Sequence, residues 1–230
     1  MSTKKGKKMA LSRHFLILVI FLALSITAIG TVSSSLQQAV DASVDGCIII
    51  MRGGTWNENV VIDNDLTIMG GYGRGQTVIN GDTDGDGTGD GTVITIDQSD
   101  VVLTALAIIN GNSALDGGGI YNSGTLTMED CTVSGNTASV NGGGICNWGT
   151  LTMEDCTVSE NTANFGGGGI LNFGTISMVD CTVSENTADG GGGIHNQGTL
   201  SMADCTVSDN TAVSGGGISN YDSTVDMVDC

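Results

Sequence analysis

The chain has 230 residues, among them 37 glycines and no proline, and a net charge of −18. All four lysines and Arg13 fall within the first 13 residues. Beyond residue 30 only Arg52 and Arg74 oppose 25 acidic side chains, a net charge of −23. Such a surface excludes nucleic acid and anionic lipid as partners, because phosphate recognition needs clustered Lys or Arg.

Residues 1–30 have the three-part form of a secretory signal. Lys4, Lys5, Lys7, Lys8 and Arg13 precede an apolar or small-residue run from Phe15 to Ile29, and Ala28-Ile29-Gly30 satisfies a small-x-small cleavage rule. The run is short for a membrane span, which needs about 20 residues. A cleaved signal and an uncleaved N-terminal anchor both remain open, and both place the rest outside the cytoplasm. Membrane contact is expected only through this segment or an anchor beyond the C-terminus.

Residues 31–46 hold one helical stretch. Ser33 to Ala42 offers serines for an N-cap and sets Leu36, Ala39 and Val40 on one face. A short amphipathic helix of this kind can cover the open end of a stacked fold.

Residues 47–116 contain short β-type runs bounded by Gly, Asn or Asp. These are Cys47–Met51, Asn59–Ile62, Leu66–Met69, Thr77–Ile79, Val93–Ile96, Val101–Leu103 and Leu106–Ile109. Between them lies an acidic loop, residues 82–91. Asp82, Asp84, Asp86 and Asp90 occupy positions 1, 3, 5 and 9 of a calcium loop, with Gly87 at the sharp turn of position 6. Position 12 is Val93 where a bidentate Glu is needed, so Asp97 or another coil would have to complete the site. Weak structural calcium binding and a merely solvated acidic loop are the two readings.

Residues 117–230 repeat one unit almost five times, starting at Gly117, Gly142, Gly167, Gly191 and Gly215. A fixed period of 24–25 residues means a solenoid whose units pack on their neighbours. A leucine-rich repeat would need a helical convex segment, and the Gly- and Asn-rich remainder of each unit opposes one. The expected coil has three short strands, within Gly-Ile-Tyr-Asn, Thr-Leu-Thr-Met-Glu and Cys-Thr-Val-Ser. Alternation points Ile120, Leu126, Met128, Cys131 and Val133 inward. The variable positions Tyr121, Cys146, Leu171, His195 and Ser219 are expected outward. The fold class is therefore all-β, a right-handed parallel β-helix with one coil per repeat and a short N-terminal capping helix. The last copy stops partway at Cys230, so the chain is expected to be a piece of a longer protein.

Polar residues recur with the same period. Cys131, Cys156, Cys181, Cys205 and Cys230 stack about 4.8 Å apart with parallel side chains, which favours a buried thiol column over disulfides. Asn122 and Asn136, with their equivalents in later copies, suit turns and coil-to-coil amide ladders. Asp130 and its equivalents mark the bend between the second and third strands.

The pairing of Gly118-Gly119-Ile120 with Val133 and Asn136, repeated as Gly143-Gly144-Ile145 with Val158 and Asn161, resembles the repeat of polymorphic outer-membrane proteins. Gly and Val stand here where that family carries Ala and Phe. The resemblance implies an exported surface or secreted protein, often an adhesin. Residues 36–110 similarly resemble the opening coils of secreted parallel β-helix proteins. That fold also serves pectate lyases and polygalacturonases, so a polysaccharide-active lyase or glycoside hydrolase is the alternative. The enzyme reading is weakened because His195 is the sole histidine beyond residue 30 and no lysine lies there. A third reading is ice binding through the Thr-x-Thr columns that begin at Thr125 and Thr127. The expected ligand surface, for a glycan or a protein, is the turn column of Tyr121, Trp148, Phe173, Gln197 and Tyr221.

Overall fold

The computed structural model describes residues 29–31 and 35–230. The expected signal or anchor therefore lies almost wholly outside the described residues, as do Ser33 and Ser34 of the helical stretch. No helix among the described residues is long and apolar enough to cross a membrane. The chain forms a parallel β-solenoid of about seven turns.

Strand β1 (Ile29–Thr31) precedes helix α1 (Leu36–Asp41), and β2 (Cys47–Asn57), β3 (Val60–Ile62) and β4 (Leu66–Asn80) follow. Helix α1 is shorter than Ser33 to Ala42 predicts, but it does the expected work. Leu36 and Val40 are buried, and both the helix start and its exposed side are tied to the first coil. The Ser35 side chain accepts from Gln38 N. The Glu58 carboxylate accepts from Ser35 Oγ, Leu36 N and Gln37 N at 2.8–3.0 Å, satisfying helix-end donors that have no partner within the helix. The Gln37 amide donates to Val61 O at 3.1 Å and accepts from Val61 N at 2.7 Å, imitating a strand neighbour on β3.

Each regular coil contributes to three ladders. The first face stacks β3, Ile94–Ile96, Ile120–Asn122, Ile145–Asn147, Ile170–Asn172, Ile194–Asn196 and Ile218–Asn220. The second face stacks five-residue strands such as Thr125–Glu129 on Thr150–Glu154, and the third stacks three-residue strands such as Thr132–Ser134 on Thr157–Ser159. All pairs are parallel, and those between the repeats are in register, so like residues fall in columns. A fourth short ladder, Thr137–Ala138 on Thr162–Ala163, was not expected from the sequence. It follows from a two-residue alternation in which Ala138 is buried and Thr137 exposed.

One further difference has a local cause. Predicted runs Leu66–Met69 and Thr77–Ile79 belong to one strand, β4, whose two halves serve the second and third faces. In the repeats the same corner breaks the strand, because Asp130 and its equivalents Asp155, Asp180 and Asp204 take φ near 52° to 53°. Asp tolerates that left-handed backbone better than most residues.

The interior holds Ile120, Leu126, Met128, Cys131 and Val133 and their counterparts, as the alternation predicts. Cys131, Cys156, Cys181 and Cys205 are buried free thiols, and Cys230 is exposed. Two asparagine ladders run along the axis. Asn122 Nδ2 donates to Asn147 Oδ1 at 2.7 Å, and the chain continues to Asn172, Asn196 and Asn220. In the second ladder Asn161 Oδ1 accepts from both Asn136 N and Asn136 Nδ2 at 3.0 Å. Asn161 Nδ2 in turn donates to Val133 O at 2.9 Å. From Asn122 to Asn196 these amides are wholly buried yet satisfied, which removes the penalty of burying polar groups.

Replacing Asn161 by Ala strands the Asn136 N–H inside the solenoid and removes one of the two donors to the Val133 carbonyl. A buried orphan costs about 1–3 kcal/mol, so N161A is expected to lose about 3 kcal/mol in urea unfolding. Thr150→Ala, on the exposed face, should change stability by less than about 0.5 kcal/mol.

Candidate functional site

The regular columns leave few places for specific recognition, and these flank the first face. From Ile120 onward each first-face strand is entered by a glycine triplet. Gly142 has φ 63°, and a Cβ built there would sit 2.6 Å from Ile145 O. The glycine turn thus folds directly across the outer side of the strand. For that reason Cys146 and Leu171, expected outward, are buried. Tyr121 and His195 in the same column are only partly covered.

Trp148 and Phe173 lie two residues after Cys146 and Leu171, at the corner beyond Asn147 and Asn172. Their rings stack with centroids 4.1 Å apart and an interplanar angle of 27°. Trp148 is still 51% exposed, so the pair presents apolar surface to solvent. Trp148 N, Phe173 N, Gln197 N and Tyr221 N each donate to the asparagine carbonyl of the preceding coil at 2.8–2.9 Å, which fixes the column. Tyr221 extends it and is 70% exposed. Tyr121 does not belong there. It pairs with Cys146 on the strand itself, and the Trp148 column begins with Ser123. The five expected ligand residues thus divide into a corner column and one neighbouring strand residue.

An apolar stripe on the other side of the first face was missed from the sequence. Leu115, Val140 and Phe165 stack through Val140 N to Leu115 O and Phe165 N to Val140 O, at 3.1 and 2.9 Å. Leu115 is 70% and Phe165 60% exposed. The available signal was an apolar residue in the middle of the three-residue spacers Ser139-Val140-Asn141 and Asn164-Phe165-Gly166.

His195 is half-buried beneath this corner. A Cβ on Gly166 would lie 3.3 Å from its ring. Its Nε2 lies 3.0 Å from Gln197 Nε2, while its Nδ1 is buried without a hydrogen-bond partner. Burial holds its pKa below the ordinary range.

In the acidic loop the carboxylates of Asp82, Asp84 and Asp86 offer oxygens within 4.8 Å of one another. Asp82 is anchored, accepting from Gly85 N at 2.8 Å and Gly87 N at 3.1 Å. Asp90 is not in this cluster. Its carboxylate accepts from the Thr83 hydroxyl and from Thr83 N, which lowers its pKa, and its own N–H returns to Gly81 O. Val93 is wholly buried, and Asp97 lies beyond Ile94–Ile96 with Ser123 Oγ 3.5 Å away. Neither completes the loop as a ligand.

The stacked coils, asparagine ladders and buried thiols define a parallel β-helix repeat protein. Two stretches of the repeats are similar to a known one: the Chlamydia polymorphic membrane protein repeat matches residues 130–147 and 180–197. No curated protein sequence matches the chain. Among solved structures, the pectin methylesterase from Aspergillus niger in deglycosylated form superposes with a TM-score of 0.51 at 13% identity, covering 88% of this chain and 84% of that one. Pectin methylesterase PemA from Erwinia chrysanthemi gives a TM-score of 0.48 at 14% identity, covering 80% of this chain and 66% of that one. At such identity the likeness shows the fold alone.

The buried thiols make stability pH-dependent. Burial first, and Asp116 second, push the Cys146 thiol from 9.0 up to about 12. The hydrogen bond shared by Cys131 and Cys156 raises Cys156 and lowers Cys131, so that pair offsets itself and the dependence rests chiefly on Cys146. A proton kept by the folded chain and lost by the unfolded one favours unfolding as pH rises. Stability is therefore expected to be full below pH 9 and to decline towards pH 12. Urea midpoints at graded alkaline pH check this, and Cys146→Ala should flatten the decline.

Proposed function

We propose that the chain is an exported surface protein whose β-helix acts as an adhesin-like binding module for a glycan or protein ligand. The observation that carries this reading is the stacked Trp148–Phe173 pair, which presents aromatic surface to solvent at a corner of the solenoid. Exposed aromatics supply large rigid contact area at little entropic cost, and Tyr and Trp dominate binding hot spots. The stripe of Leu115, Val140 and Phe165 adds apolar surface on the opposite side of the same face. The similarity to polymorphic membrane protein repeats supports a surface location, in the outer membrane or secreted. The N-terminal basic and apolar run supports export.

A glycan array and a panel of extracellular-matrix proteins provide the test. Trp148→Ala combined with Phe173→Ala should weaken any ligand retained by the native chain about thirtyfold, the equivalent of about 2 kcal/mol. Unchanged binding by a folded double variant overturns the assignment of this surface.

The acidic loop is proposed as a weak calcium site built on Asp82, Asp84 and Asp86. Three oxygens within 4.8 Å suit a hard cation, which prefers carboxylate and carbonyl ligands. Calorimetric titration should show binding at about millimolar calcium, the range of extracellular modules. Asp84→Asn should abolish it, and no heat in the native chain dismisses the site.

A further inference from the structure

The first rung leaves part of its edge unpaired. On one side β2 pairs with β4 in both halves, Cys47 to Ile50 against Leu66 to Met69 and Gly54 to Asn57 against Thr77 to Asn80. On the other side it pairs only with β1, through Ile48, Ile49 and Ile50. Among the described residues no strand lies beside the rest of that edge. Glu58 N donates to Asn80 O at 3.0 Å, towards β4. Successive residues of an extended strand turn their N–H and C=O to opposite edges. Trp56 therefore shares the β4 side with Glu58, while Thr55 and Asn57 direct both backbone groups outward.

A groove of about 550 Å³ lies along this edge, lined by residues 53–57 with Ser35 and Glu58. That is the size of a ligand site. Its side chains are already committed. The Trp56 indole N–H donates to Arg52 O at 3.3 Å, and Glu58 is engaged by Ser35, Leu36 and Gln37. A Cβ added at Gly54 would meet nothing within 4 Å, so the backbone is approachable. What the groove offers is main chain beside an indole wall. The same edge already accepts β1 as an added parallel strand. By contrast, the matching open edge of β3 is closed by the Gln37 amide. Left bare, an edge of this kind invites pairing with another chain.

We infer that residues 53–57 form a docking edge for an extended segment of a partner protein, which joins β2 as a further strand through Thr55 and Asn57. Main-chain bonds supply the affinity in such recognition, and side-chain pockets the selectivity. The strongly acidic body favours a segment flanked by Lys or Arg. This inference stands on the N-terminal rung and is independent of the aromatic corner.

The test pans a linear-peptide display library on the folded full chain and measures the enriched peptides as synthetic ligands. The informative variant is Thr55→Pro, which removes one outward N–H and no bond to β4. Proline is tolerated at such edge positions. Thr55→Val keeps the N–H and serves as control. Enriched peptides should be β-branched with basic flanks, bind T55V like the native chain, and bind T55P at least tenfold more weakly. A second readout needs no variant: bound peptide should slow hydrogen exchange at the Thr55 and Asn57 amides. Failure to enrich peptides, equal binding to folded T55P, or unprotected Thr55 and Asn57 amides would overturn the proposal.

Discussion

The structure depends on in-register hydrogen bonding between successive coils. A single coil buries only a few modest side chains, and ordering its residues costs more than that burial returns. Stacking changes the balance, because backbone N–H and C=O groups and the inward asparagine amides find partners one coil away. The requirement of register then explains the repetition. Glycine recurs where the backbone of one coil lies against the next: a Cβ on Gly119 would come 2.7 Å from Gly144 O. Asparagine recurs at Asn122 and Asn136 because only a side chain with both donor and acceptor can pass the ladder onward.

The same constraint separates architecture from recognition. Positions that face a neighbouring coil through backbone or amide bonds are not free to vary. Freedom survives at corners and spacers, where Ser123 gives way to Trp148, Phe173, Gln197 and Tyr221. The N-terminal end is treated differently in its two parts. Helix α1 covers the interior, and a glutamine amide closes one edge, while residues 53–57 keep their outer backbone groups free of any described strand. Function in this chain is therefore proposed to lie at the margins of a uniform scaffold.

Much of the scaffold was legible because period-2 alternation repeats in every copy, so each copy checks the others. The inward set of Ile120, Leu126, Met128, Cys131 and Val133 needed no tertiary information. The capping role of the first helix was legible from Leu36 and Val40. What escaped depended on contacts between segments far apart in the strand pattern. Cys146 and Leu171 alternate as outward residues, but a glycine turn covers them. Asp90 fits a calcium-loop spacing, yet the returning chain delivers it to Thr83. Tyr121 sits two residues before the aromatic column, on the strand and not at the corner, so alternation alone does not separate it from Trp148 and Phe173. The short Thr137–Ala138 ladder is too brief to announce itself by alternation. The stripe of Leu115, Val140 and Phe165 arises only when the spacers stack.

Exchange of the asparagine side-chain amides tests the central claim most directly. In the native chain the Nδ2 protons of Asn136, Asn147, Asn161 and Asn172 should exchange with solvent only through global unfolding, and those of Asn220, at the last coil, through local opening. Rapid exchange at the central asparagines under native conditions would contradict the account, because it would mean that the amide ladders do not hold the coils in register.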